Sequence, residues 1–279
     1  MSDSRRFRLS TLALSGLAGL VLFAQAALAV AQDAKSASAE KPKADLPAAK
    51  EIIARFIKVT GGREARLKHK SRHLRGKMNM PASGMFGSVE AYAAMPNRGM
   101  IRIEMTGMGV TRQGFDGKTG WAIQPIVGAT LMEGAQLEQT RIESEYHRDL
   151  NKAKLYQSIE TVELTEFDGV KCYKIKLVAK AAPPLYEFYE VESGLRRGSQ
   201  MVAVTPQGEM PVTSIETEYK KFDGVMFATK TVQKVMMQEI VMKIESVAFD
   251  KVPDSIFELP AEIKALVEER KAKPTGERP

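Results

Sequence analysis

Hydrophobic and polar positions follow two different periods along this chain. Over residues 47–61, Ile52, Ile53, Phe56, Ile57 and Val59 recur at helical spacing, and Gly61-Gly62 supplies a left-handed stop. From Leu74 onward the period falls to two. Leu74, Gly76, Met78 and Met80 alternate with Arg75, Lys77 and Asn79, and Ile101, Ile103 and Met105 alternate with Arg102 and Glu104. Similar runs recur at 86–95, 109–115, 119–124, 159–166, 170–178, 185–191, 200–205, 212–222, 225–235 and 238–249. These read as half-buried strands, and about a dozen of them are too many for a flat sheet, so the sheet must curl.

Phe115-Asp116-Gly117, Phe167-Asp168-Gly169 and Phe222-Asp223-Gly224 each stand between strand-like runs. Asp-Gly accepts the positive φ of a type I′ turn, so successive strands are expected to pair as hairpins. Residues 131–155, with Glu133, Leu137, Ile142, Tyr146 and Leu150, break the pattern as a helical insertion. A charged helix over 261–271 and a polar tail end the chain.

The first residues change the setting. Arg5, Arg6 and Arg8 precede an apolar stretch over 12–23 and small residues at Ala27, Ala29 and Ala31, the order of a cleavable signal peptide over 1–31. The stretch is shorter than the ~20 residues of a membrane span. The expected location is the periplasm, after secretion across the inner membrane. Residues 32–46, with Leu46 their only large apolar side chain, read as a disordered leader. The remainder forms one β domain over 47–260, then the helix and tail over 261–279. Loss of 1–31 removes three Arg and one Asp, so the formal charge falls from +7 to +5.

Chemical motifs are missing. There is no phosphate loop, nucleophile elbow, His-Glu-x-x-His pair, paired-cysteine metal site or haem attachment sequence, so neither catalysis nor a cofactor is expected. His69 and His73 stand four apart, but Lys68, Lys70 and Arg72 would repel a cation, and both rings read as solvated. Glu190, Glu216 and Glu218 read as a strand's solvent face. Cys172, the single cysteine, falls on the same strand face as Lys174 and Lys176 and reads as idle. Arg63, Arg66, Lys68, Lys70, Arg72, Arg75 and Lys77 make a basic segment that could meet anionic headgroups or, on the plainer reading, be a solvated helix end.

The positive signal is apolar. Of fifteen methionines, most beyond Met1 fall in or beside strands, and an unbranched polarizable side chain suits a site for variable acyl chains as well as it suits a core. If the period-two register holds, Met78, Met80, Ile101, Ile103, Met105 and Trp121 project onto one concave face as the ligand-contacting set.

Several segments, in order, resemble the periplasmic lipoprotein-carrier superfamily, the LolA/LolB-like proteins, and in particular its exported outer membrane lipoprotein-sorting relatives. They are Thr60-Gly61-Gly62, Arg112-Gln113-Gly114-Phe115-Asp116-Gly117-Lys118 followed by Trp121, Met132-Glu133-Gly134, Thr205-Pro206-Gln207-Gly208-Glu209, Tyr219 before Phe222-Asp223-Gly224-Val225, and Ile256-Phe257-Glu258-Leu259-Pro260. The resemblance spans about residues 49–260 and departs from the usual pattern at Ala228, where relatives often carry proline. It implies a mainly β fold, a curved antiparallel sheet forming an incomplete, half-open barrel with capping helices. The function that follows is a carrier for a lipid, lipoprotein acyl chains or another apolar ligand, with transient membrane-surface contact and no nucleic acid. The alternatives are an envelope scaffold binding a protein partner and an enzyme with an unrecognised acidic site.

Overall fold

The computed structural model describes residues 46–205 and 208–272. The expected signal peptide, all of the leader but Leu46, Pro206-Gln207 and residues 273–279 lie outside them.

The first strand, β1 (Ser71–Met80), starts a meander through β2 (Met85–Ala94), β3 (Arg98–Met105), β4 (Gly109–Phe115), β5 (Gly120–Gln124) and β6 (Gly128–Leu131). A second meander runs through β7 (Ser158–Phe167), β8 (Val170–Val178), β9 (Leu185–Glu190), β10 (Arg196–Thr205), β11 (Gly208–Phe222), β12 (Val225–Val235) and β13 (Gln238–Phe249). First and last strands pair, giving the order β6-β5-β4-β3-β2-β1-β13-β12-β11-β10-β9-β8-β7, antiparallel throughout. The strands β6 and β7 are its edges, so the sheet does not close.

Helices α1 (Ala49–Val59) and α2 (Gly62–Leu67) precede the sheet, α3 (Gly134–Glu143) and α4 (Arg148–Leu155) carry the chain from β6 to β7, and α5 (Ala261–Ala272) follows it. The ten residues of α3 span about 15 Å. This helix packs against both β5 and β10, strands that would stand about 38 Å apart in a flat sheet. The sheet therefore wraps around the helices, as the strand count required.

The amphipathic face of α1 buries Ile52, Ile53 and Phe56 against Ile175, Leu177 and Tyr189 of β8 and β9, with Phe56 edge-on to Tyr189 at 5.5 Å. Full burial of each such side chain contributes roughly 1.5–3 kcal/mol. Gly61 (φ 115°) ends α1 where a Cβ would lie 2.2 Å from the Gly224 carbonyl oxygen, so only glycine lets the helix end meet the β11–β12 turn.

Of the three Asp-Gly turns, Asp168-Gly169 and Asp223-Gly224 have two positive φ values and join adjoining strands, as expected. At Asp116-Gly117 the strands β4 and β5 pair as expected, but the two-residue turn type is corrected. These two residues lie in a longer connection, because the Asp116 carboxylate accepts from the N–H groups of Lys118 and Thr119 and holds the chain open before β5. The helical insertion is likewise two helices. Residues 144–147 break it so that Tyr146 can donate its N–H to the Pro96 carbonyl and bury its ring beneath the Arg72 guanidinium.

Two side-chain readings are corrected. His69 is 1% exposed, stacks on Phe249 at 3.8 Å and lies 2.9 Å from an Asp250 carboxylate oxygen, while His73 stacks on Tyr92 beside Glu90. Partners distant in sequence bury the His69 ring and half-bury the His73 ring, both of which the neighbouring lysines had placed in solvent. Cys172 keeps its expected strand face, but that face is covered there. Phe167, Phe188 and Ile215 enclose the thiol, and the Lys174 ammonium lies over the Tyr186 ring.

Among the described residues no helix is long and apolar enough to cross a membrane.

Candidate functional site

A cavity of about 300 Å³ lies between the inner face of the sheet and helices α1, α3 and α4. Apolar walls come from Phe56, Leu74, Ile142, Met201, Phe227 and Met242. Leu74 and Met242 also belong to a buried layer with Met78, Met80, Ile101, Ile103 and Met105, so part of the cavity wall packs against the methionine-rich layer of β1, β3 and β13. Those five expected ligand residues thus lie together, each at most 8% exposed, and none lines this cavity. Ile101 instead borders a smaller hollow of about 90 Å³ beside Gln113 and Phe115.

Trp121 does not join them. Its neighbour Gly120 faces Leu137 of α3, so strand alternation turns Trp121 to the outer face. There it lies over Gly114, whose Cβ would come within 2.5 Å of the ring, on the side where Glu262 of α5 pairs with Arg112.

The cavity's other wall is ionic. Lys152 of α4, 3% exposed, donates to Glu187 of β9, 1% exposed, at 2.6 Å, and Tyr189 donates to the same carboxylate at 2.6 Å. Arg196 of β10 reaches Glu187 at 3.3 Å, Glu216 of β11 at 3.0 Å and Asp149 of α4 at 3.6 Å. Arg66 of α2 adds a contact to Asp149 at 3.5 Å. Three carboxylates and three cations thus tie two helices to three strands. Burial alone would raise the carboxyls of Asp149 and Glu187, but the Lys152 and Arg196 cations hold both below the usual range. Burial and the adjacent Glu187 hold the Tyr189 hydroxyl well above its ordinary value, which keeps it a neutral donor.

Tyr219 enters the network through a local irregularity. Ser214 and Glu216 share the inner face of β11, and strict alternation would send Tyr219 outward. Glu218 adopts a left-handed φ of 54°, the alternation breaks, and the Tyr219 hydroxyl donates to the Arg196 carbonyl at 2.6 Å and lies 3.1 Å from Glu216.

The solvent-face reading of Glu216 is thereby corrected, because Arg196 draws it inward. Glu190 stays on the outer face, near Arg197 and Ser193, and Glu218 is exposed near Lys230. The basic segment also divides. Arg66 and Arg72 turn into the cavity, while Lys68, Arg75 and Lys77 pair on the surface with Asp223, Glu90 and Glu245. Strand alternation in β1 separates Arg72 from Arg75 and Lys77.

A signal for the ionic wall exists in the sequence. Leu185, Glu187 and Tyr189 share a strand face, and a carboxylate between two large apolar side chains needs a buried cation. Among the described residues no group of three His, Cys, Asp or Glu side chains could hold a metal ion.

No family model matches the sequence, and no curated protein matches it. Solved structures do. A DUF1329 family protein from Desulfovibrio piger superposes with a TM-score of 0.52 at 12% identity, over 77% of this chain and 98% of that one. A LolA superfamily protein from Nitrosomonas europaea superposes with a TM-score of 0.51 at 13% identity, over 77% and 99%. The chain has a LolA-like fold. The open curved sheet expected from the resemblance is thus the one observed, and in this LolA-like chain the cavity lies where helices α1, α3 and α4 cover the sheet.

Proposed function

We propose that the protein is a non-catalytic carrier in the periplasm, exported by the signal peptide read in its first residues, that binds a lipid or the acyl chains of a lipoprotein beneath α1, α3 and α4. The observation that carries this reading is the cavity of about 300 Å³, partly lined by Phe56, Leu74, Ile142 and Met242, two of which, Leu74 and Met242, pack in one buried layer with Met78, Met80, Ile101, Ile103 and Met105. Its volume is at the lower end of small-molecule sites, which suits one chain. Moving apolar chain from water into such walls yields about 0.8 kcal/mol per CH₂. A longer ligand would extend across the methionines, whose flexible side chains can repack around it. Trp121, on the outer face, forms no part of this wall.

Titration with an environment-sensitive fatty-acid probe tests the reading. Saturable binding, weakened by Met242→Ala or Phe227→Ala, is expected. No binding by the wild type contradicts it.

A specific observation favours a second reading, a scaffold that docks a protein partner. The β1–β2, β5–β6 and β12–β13 hairpins end at the same end of the sheet, where Phe86 (62% exposed), Ile126 (65%), Met236 (66%) and Met237 (92%) stand in solvent. Replacing Met237 and Phe86 by serine should abolish partner capture and leave probe binding unchanged if that surface is the functional one.

A further inference from the structure

The polar groups at the α3–α4 junction do not all have partners. Asp149, Glu187 and Glu216 are matched by Arg66, Lys152 and Arg196, and Glu145 accepts from Asn151. Arg72 and Arg148 are left over. Arg72 donates to the Tyr146 carbonyl at 3.3 Å and stacks on the Tyr146 ring but pairs with no carboxylate among the described residues. The Arg148 guanidinium lines the cavity and makes no hydrogen bond or ion pair among the described residues. In the same cavity Arg66 Nε, Glu143 Oε2, His147 Nε2 and Asp149 Oδ1 are buried without a hydrogen-bond partner, although Asp149 Oδ1 lies 3.3 Å from the Lys152 ammonium and 3.6 Å from Arg196.

Buried polar groups without partners are uncommon in folded proteins, and several around one cavity mark a place where a ligand completes the hydrogen bonds. Arg148 supplies free donors beside them, on a planar guanidinium that lines the cavity and is suited to gripping two oxygens at once. Phe56, Ile142 and Met242 give the same cavity apolar wall.

We propose that the cavity takes a single-chain amphiphile whose head is an oxyanion, a carboxylate or a phosphate monoester, held by Arg148 with Arg72 behind it. The proposal rests on the carrier reading and names the head that the carried chain must bear. Glu143 does not oppose this assignment. Burial pushes its carboxyl up to about 7, so near neutral pH it can carry a proton and donate to the bound oxyanion.

The test is a calorimetric titration of the purified protein with dodecanoate, dodecyl phosphate, dodecanol and dodecyltrimethylammonium, each below its micellar concentration. One or both anionic ligands should bind about tenfold or more tighter than dodecanol, a margin suited to a charge-assisted hydrogen bond, and the cationic ligand should bind most weakly. Which anion prevails identifies the head. Arg148→Gln should remove the preference, bringing the affinity for the anions down to that for dodecanol.

Equal binding of anions and alcohol by the wild type overturns the headgroup assignment and leaves the carrier reading standing, as does a preference that persists in a folded Arg148→Gln protein. Binding of none of the four overturns the carrier reading, and the assignment with it. The wild-type comparison decides even if the variant does not fold.

Discussion

Lys152 of α4 and Glu187 of β9 form a contact of 2.6 Å, with Lys152 3% and Glu187 1% exposed. It fastens a helix that bounds the cavity to the floor of the sheet, so binding site and stability share one interaction. Breaking a buried pair leaves an uncompensated charge and costs roughly 3–5 kcal/mol, whereas removing both partners in favour of apolar side chains costs far less. Lys152→Met should therefore lower the denaturation midpoint strongly. The double variant Lys152→Met with Glu187→Met should recover only part of the loss, because Arg196 and Tyr189 also depend on Glu187. Chemical denaturation of the three proteins checks this.

Glu143 makes stability depend on pH. Burial raises its carboxyl from 4.5 to about 7, with Arg148 opposing the shift. A raised folded-state value means that its contribution is complete below about 4.5 and lost as pH rises through about 7. Glu143→Gln mimics the protonated side chain. Its stability relative to wild type should improve by on the order of 2 kcal/mol between about pH 5 and 8. His73 and His147, both lowered by burial, titrate in both proteins and largely cancel in the difference.

Cys172 should be inert in the folded protein. Burial and the neighbouring Glu190 push its thiol up to about 11. A disulfide-exchange reagent should label it only after denaturant is added. Cys172→Ser places a hydroxyl among Phe167, Phe188 and Ile215 and should cost roughly 1–3 kcal/mol, more than Cys172→Ala. Rapid labelling of the native protein would contradict this account.

The period-two runs were legible because burial on one face repeats every second residue, as in Leu74, Met78 and Met80. The strand β6 was not, since Gly128-Ala129-Thr130-Leu131 is too short to show a period before the helices begin. The ionic wall escaped for a different reason. Glu187 meets Lys152 across 35 positions and Arg196 meets Glu216 across 20, and local charge patterns favour solvent until such partners are known. The methionine layer could be read from alternation, whereas the outward turn of Trp121 depends on the register of β4 and β5, which the long Asp116 turn sets.

Met80, 1% exposed, belongs to the layer across which a long chain would extend. Met80→Ala should cost about 2–5 kcal/mol of stability if the layer stays sealed. If the layer opens to ligand, the same change should weaken binding of long-chain probes more than short ones. Melting temperature and probe affinity measured on the same variant across a chain-length series separate the two.

The central claim is that this LolA-like protein carries an amphiphile under α1, α3 and α4. Native mass spectrometry of the protein, gently extracted from the cell envelope, tests it most directly. The account predicts a population heavier than the polypeptide by one lipid-like molecule. A mass equal to the bare polypeptide in every preparation, in a protein that also binds no fatty-acid probe, would contradict it.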